Sequence, residues 1–154
     1  MKVEESFTVE KPRDQVWAFI QQIERVAGCI PGLDRISMTD VDTYDVQITQ
    51  SLGVFKVTFD AKMRITSRQE GRELSFTATG QSIRGAAGNL RSTTVVRLED
   101  NTHSPGTTSV IVEADVVLGG MLGAVGQKLI AKQATKIAKQ FAKNLEIDLQ
   151  MAEK

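Results

Sequence analysis

Residues 54–66 read VFKVTFDAKMRIT. Phe55, Val57, Phe59, Ala61, Met63 and Ile65 alternate with Lys56, Thr58, Asp60, Lys62, Arg64 and Thr66. A period of two held this long specifies a strand with one dry face and one wet face. Before it, Tyr44, Val46 and Ile48 make a shorter strand joined through Ser51-Leu52-Gly53; after it, Leu74, Phe76 and Ala78 make another, joined through residues 69–72, QEGR. Two further strands, about Leu90 to Glu99 and Thr107 to Leu118, flank the turn formers of residues 101–106, NTHSPG. Connections this short imply an antiparallel meander.

Upstream, Val3, Glu5, Phe7 and Val9 alternate with polar residues as a first strand, with Glu5 in the apolar phase. Pro12 suits the first turn of a helix, and Val16, Trp17, Ile20 and Ile23 follow at helical spacing. A second small helical turn is expected from Glu24 to Cys29. Residues 27–33, AGCIPGL, then force a corner, because Ile30 before Pro31 is pushed out of the helical region and Gly32 tolerates positive φ. Ile30-Pro31-Gly32-Leu33 fits a type II turn, and Cys29 reads as one more small hydrophobe on a corner folded inward.

From about Met121 the apolar period becomes helical. Leu129, Ile130, Ala134, Ile137, Ala138, Phe141 and Leu145 define one face. Lys128, Lys132, Lys136, Lys139 and Lys143 fall within an arc of roughly 80° on another, at about 100° per residue. No acidic residue interrupts them before Glu146. The stripe reads either as a solvated helix face or as a docking face for anionic headgroups or an acidic partner protein.

The totals narrow the class. A chain of 154 residues with no internal repeat or linker is one domain over 1–154, and at this length about 70% of the unfolded surface is typically buried. Nineteen basic residues balance nineteen acidic ones, so no net field draws the chain to nucleic acid. The lysine face must then be offset elsewhere, leaving the molecule electrically polar. One cysteine and one histidine supply neither an intrachain disulfide nor a structural zinc site, which points to a reducing cytoplasm. The longest charge-free apolar run, Val116 to Gly126, falls short of the roughly 20 residues needed to span a bilayer.

A strand, two short helices, a long meander and one long terminal helix make an α+β chain whose order resembles the helix-grip (START-like) fold, in which a curved antiparallel sheet wraps around the C-terminal helix. More specifically, the chain resembles the family of the carbon monoxide dehydrogenase G subunit. The resemblance rests on Pro12 with Val16-Trp17, on Cys29-Ile30-Pro31-Gly32-Leu33, on residues 80–85 (GQSIRG), on residues 112–116 (VEADV) and on residues 140–145 (QFAKNL). It implies a non-catalytic accessory protein for molybdenum hydroxylases of the carbon monoxide dehydrogenase type, peripheral at the inner face of the membrane, with a cavity for a hydrophobic ligand such as a quinone. No covalently bound cofactor is implied. Some relatives continue into an apolar C-terminal segment; this sequence ends at Lys154 without one, which implies transient membrane contact.

Catalytic candidates are sparse. Cys29 lacks a base, since the only histidine, His103, sits among turn formers. Glu113 and Asp115 share a strand face opposite Val112, Ala114 and Val116, which reads as the solvated side. Glu5 reads either as an inward carboxylate or as a sheet-margin residue. An enzymatic alternative on the same fold, a cyclase or hydratase, would use Glu5 or Asp115 as base. A docking or assembly factor with a filled interior is the third reading.

Residues 119–126, GGMLGAVG, lack the Gly-Lys-Ser/Thr of a phosphate loop. Continued as helix, Gly120, Gly123 and Gly126 stack on the side of Ile130, Ile137 and Phe141. Two readings stand: close backbone packing, or room for a flat apolar guest between helix and sheet. On the strand Leu90 to Leu98, Ser92 and Thr94 share the phase of Val96 and Leu98, so their hydroxyls either bond within the protein or orient a ligand carbonyl. The expected cavity wall is Trp17, Phe59, Met63, Phe76, Leu122, Val125 and Phe141, with Ser92 and Thr94 as its polar groups.

Overall fold

The computed structural model describes residues 1–124 and 127–152. The alternation of residues 54–66 becomes the middle of β4 (Phe55–Gln69), in which Val57, Phe59, Ala61, Met63 and Ile65 are buried. Around it lie β1 (Lys2–Val9), β2 (Leu33–Asp40), β3 (Thr43–Leu52), β5 (Glu73–Arg84), β6 (Asn89–Asp100) and β7 (Thr108–Gly119). They form one antiparallel sheet of seven strands in the order β1-β7-β6-β5-β4-β3-β2. Only β1 breaks the meander, crossing to pair with β7 through Val3↔Ala114 and Phe7↔Val110.

Two short helices, α1 (Arg13–Ile20) and α2 (Ile23–Ala27), follow β1 as expected. Pro12 stands at the N-cap of α1, its carbonyl accepting the Gln15 and Val16 N–H groups. The edge strand β2 was the least visible element in the sequence, because only Leu33 and Ile36 along it are even half-buried, and bulges interrupt its register. At the corner, Gly32 has φ +86° and the Leu33 N–H donates to the Ile30 carbonyl at 3.3 Å, as a type II turn requires. A side chain at Gly32 would also collide with the Thr49 carbonyl oxygen.

The long helix α3 (Gln127–Met151) packs against β1, β3 and β7. It starts later than the periodicity suggested. Gly120–Ala124 is a separate 3-10 turn, and Gly120, with φ +71°, turns the chain off the end of β7. Val125 and Gly126 lie outside the described residues.

The core divides in two. The larger part joins α1, α2 and the C-terminal half of α3 to the sheet through residues such as Ile20, Leu74, Val96, Val110, Leu145 and Leu149. The smaller part, Leu52, Val57, Phe59 and Leu122, closes the opposite end beneath the 3-10 turn.

Candidate functional site: a chamber between two cores

Between α3 and the sheet lies a chamber of about 200 Å³. A single water needs on the order of 10–15 Å³ measured this way, so the interior is not filled. A second space of about 150 Å³ shares Ile48, Leu90, Ser92, Ala134 and Ile137 with it and runs toward Leu52, Phe59, Leu118 and Ile130.

The void has a cause different from the one the glycines suggested. Gly120 and Gly123 are not in α3, and their missing side chains make way for backbone: a Cβ on Gly120 would meet the Gly88 Cα at 3.0 Å, and one on Gly123 the Leu118 carbonyl oxygen at 3.0 Å. Close packing accounts for them. The space is instead lined by six alanines, Ala27, Ala61, Ala78, Ala114, Ala134 and Ala138, which come from α2, three strands and α3 and leave it unfilled from both sides. Alanine is disfavoured in strands because it packs so little surface there, and inward-phase alanines on β4, β5 and β7 were the legible signal for this site.

Of the expected wall residues, Met63, Phe76, Ser92, Thr94 and Phe141 line the larger chamber, and Phe59 lines the second. Trp17 does not reach it: α1 sits over the larger core, against which the indole is half-buried. Leu122 is fully buried in the smaller core, packed over Gly88 at the end of the sheet and away from both linings. Val125 is outside the described residues.

Ser92 and Thr94 are the polar groups of the larger lining. Among the described residues neither hydroxyl has a hydrogen-bond partner, whereas Thr108, also inward, donates to the Lys11 carbonyl at 2.7 Å. The two sit two residues apart on β6 and face the same space. The second chamber shares Ser92 and adds a relay: Gln133 on α3 donates to the Gln50 side-chain oxygen at 3.5 Å, and Gln50 donates to the Pro31 carbonyl at 2.6 Å.

Cys29 is 2% exposed, and its thiol donates to Asp148 at 3.4 Å. Burial, then the hydrogen bond and charge of Asp148, push its pKa up to about 12. A thiol held protonated in this way is no nucleophile. Asp115 lies on the outer face, 3.1 Å from the Met1 amine, and Glu113 bonds Arg97 at 2.7 Å, which holds the Glu113 carboxyl below its usual range. Neither serves the chamber. Glu5 is half-buried in the inward phase of β1, but the lining passes from Val3 without including it. His103 is exposed on the β6–β7 turn. Among the described residues no cluster of histidine, cysteine or carboxylates is placed to hold a metal ion.

A family model described as the G subunit of carbon monoxide dehydrogenase (CoxG) matches residues 6–150. The chain belongs to the CoxG family. Comparison with curated protein sequences found no significant match. Among solved structures, this CoxG family member is similar to a conserved protein of Geobacillus kaustophilus at 17% identity, with 97% of this chain and 95% of that one covered and a TM-score of 0.80. A START superfamily protein of Mycobacterium smegmatis matches at 12% identity, 97% of each chain and a TM-score of 0.68. The Zhui aromatase/cyclase of a Streptomyces species matches at 13%, 97% and 93%, with a TM-score of 0.66. At such identities these likenesses establish the helix-grip fold.

Proposed function

We propose that the chamber binds a flat apolar molecule carrying a carbonyl group, a quinone, and that the protein is a non-catalytic accessory of a carbon monoxide dehydrogenase-type molybdenum hydroxylase at the membrane surface. The supporting observation is the pair of unpartnered hydroxyls, Ser92 and Thr94, in an otherwise apolar space of about 200 Å³. Both residues are half-buried, so each hydroxyl can donate to a guest's carbonyl oxygen without giving up a bond within the described protein. The two spaces lie at the small end of ligand pockets, roughly 300–1,000 Å³, which suits a ring in the larger and a substituent in the smaller. Met63, Phe76 and Phe141 are the wall, with Phe59 beside the substituent.

All five lysines of the stripe are exposed on α3. They suit docking to anionic headgroups or to an acidic partner surface, and the hydroxylase is the partner the family name suggests.

Organic extraction of the purified protein followed by mass spectrometry, with titration of decylubiquinone into the stripped protein, tests the reading. Recovery of a quinone or saturable binding is expected; neither appearing would overturn it. The aromatase/cyclase among the structural relatives, together with the inward phase of Glu5, keeps one enzymatic alternative. Turnover of a polyketide substrate that vanishes in Glu5→Gln would select it.

A further inference from the structure

Three loops and the start of α3 meet at one end of the sheet. Gly85 of the β5–β6 loop sits against the Lys56 and Val57 backbone, Leu122 of the 3-10 turn donates its N–H to the Ala87 carbonyl at 3.2 Å, and Gly53 of the β3–β4 turn lies against Leu129. This end presents bare apolar side chains to solvent: Val54 is 96% exposed, Met121 69%, Ile83 50% and Phe55 47%. Isolated exposed apolar residues are ordinary, but these four come from three separate segments that converge on one pole, which is the pattern of an interaction site.

Its charge is one-sided. Lys56, Arg84, Arg91, Lys128 and Lys132 are exposed around it, and residues 50–59, 80–92 and 116–134 contain no acid. Among the described residues none of these five cations is in an ion pair, although Arg13, Lys62, Arg68 and Arg97 elsewhere all are. The opposite end of the sheet mixes both signs: Asp40, Asp42, Glu70, Glu99 and Asp100 lie on or beside its turns, with Arg68 paired to Asp42 and Arg13 to Asp100. Five cations outside any ion pair among the described residues are thus gathered at one end of the strands. That end is also the one reached by the second chamber, through Leu52, Leu118 and Ile130.

We propose that this pole docks the protein end-on to an anionic bilayer, with Val54, Phe55 and Met121 entering the acyl margin. This rests on the ligand-binding reading, since the apolar guest then passes between the lipid and the second chamber without crossing water. Separate apolar tips ringed by cations fit between headgroups, where phosphates meet the cations and acyl chains meet the tips. The lysines farther along α3, Lys139 and Lys143, lie away from this pole and remain free for another partner.

The test is sedimentation with quinone-free vesicles of phosphatidylcholine, with and without phosphatidylglycerol, beside decylubiquinone titration in vesicle-free solution. Wild-type protein is expected to bind the anionic vesicles at low salt and to leave the neutral ones. Val54→Asp combined with Met121→Asp, both at exposed positions, is expected to weaken vesicle binding by about tenfold or more with quinone affinity unchanged. Absence of wild-type binding to anionic vesicles overturns the docking while leaving the ligand reading to its own titration. Vesicle binding that survives the double variant but is lost in Lys136→Glu with Lys139→Glu and Lys143→Glu overturns it in favour of side-on attachment by α3. Vesicle binding without any quinone binding sinks the ligand reading alone.

Discussion

The side-chain amide of Asn144 donates to the backbone carbonyl of Cys29 at 2.9 Å, across 115 residues of sequence. With the Cys29 thiol on Asp148 and Gln133 reaching Gln50, this bond ties the Pro-Gly corner to α3, so the corner and the helix close one side of the chamber together. Asn144→Ala removes the donor and leaves a part-buried carbonyl unpaired. A loss of about 1 kcal/mol in urea unfolding is expected, and a stability equal to wild type would show that the bond holds nothing.

Cys29 sets a pH limit. A thiol whose pKa rises to about 12 in the folded protein, against about 8.5 unfolded, keeps its proton while the unfolded chain loses it. Its contribution is fully present below about pH 8.5 and declines as pH climbs toward 12, with a slope approaching 1.4 kcal/mol per unit. Denaturant midpoints from pH 8 to 11 should fall for wild type and fall less for Cys29→Ala. Iodoacetamide at pH 8 should label the thiol only after unfolding.

Filling the void separates binding from stability. Ala134 lines both spaces from α3, and Ala134→Leu adds three carbons where there is room. Each buried CH₂ is worth about 0.8 kcal/mol, so thermal stability should hold or rise while decylubiquinone binding is lost. Undiminished binding in this variant would place the guest elsewhere.

Ser92→Ala and Thr94→Val remove hydroxyls that have no internal partner among the described residues. Folding stability should be unchanged or slightly higher, and quinone affinity about tenfold lower for the pair, as expected for a lost hydrogen bond to a ligand. A stability loss without an affinity change would mean the hydroxyls serve the fold.

Gly32→Ala tests the corner itself. Positive φ and the collision with the Thr49 carbonyl oxygen act together, so a loss of about 2 kcal/mol or more is expected in chemical denaturation. A milder effect would mean that the turn can shift away from β3.

Several features of the site were readable before any coordinates. The phase of β4 placed Phe59 and Met63 inward, and the phase of β6 did the same for Ser92 and Thr94, because strand alternation is a local property. Glu113 and Asp115 were assigned to the outer face for the same reason, and their ion pairs are there. Trp17 and Leu122 failed as wall residues because helical phase says that a side chain turns inward without saying which core receives it. The glycine run left close packing and an open space both standing for a related reason. Its missing side chains were visible, but the backbone that fills their place, Gly88 and Leu118, comes from other elements.

What the sequence determined alone was each element and its buried face, together with the corner at Pro31-Gly32, since these follow from a residue and its near neighbours along the chain. Where the chamber lies was decided only in three dimensions. A void exists where side chains from distant segments fail to meet, and here α2, β4, β5, β7 and α3 each bring alanine to the same place. The gathering of unpaired cations at one end is likewise a property of the packed sheet, because antiparallel strands carry turns far apart in sequence to the same end.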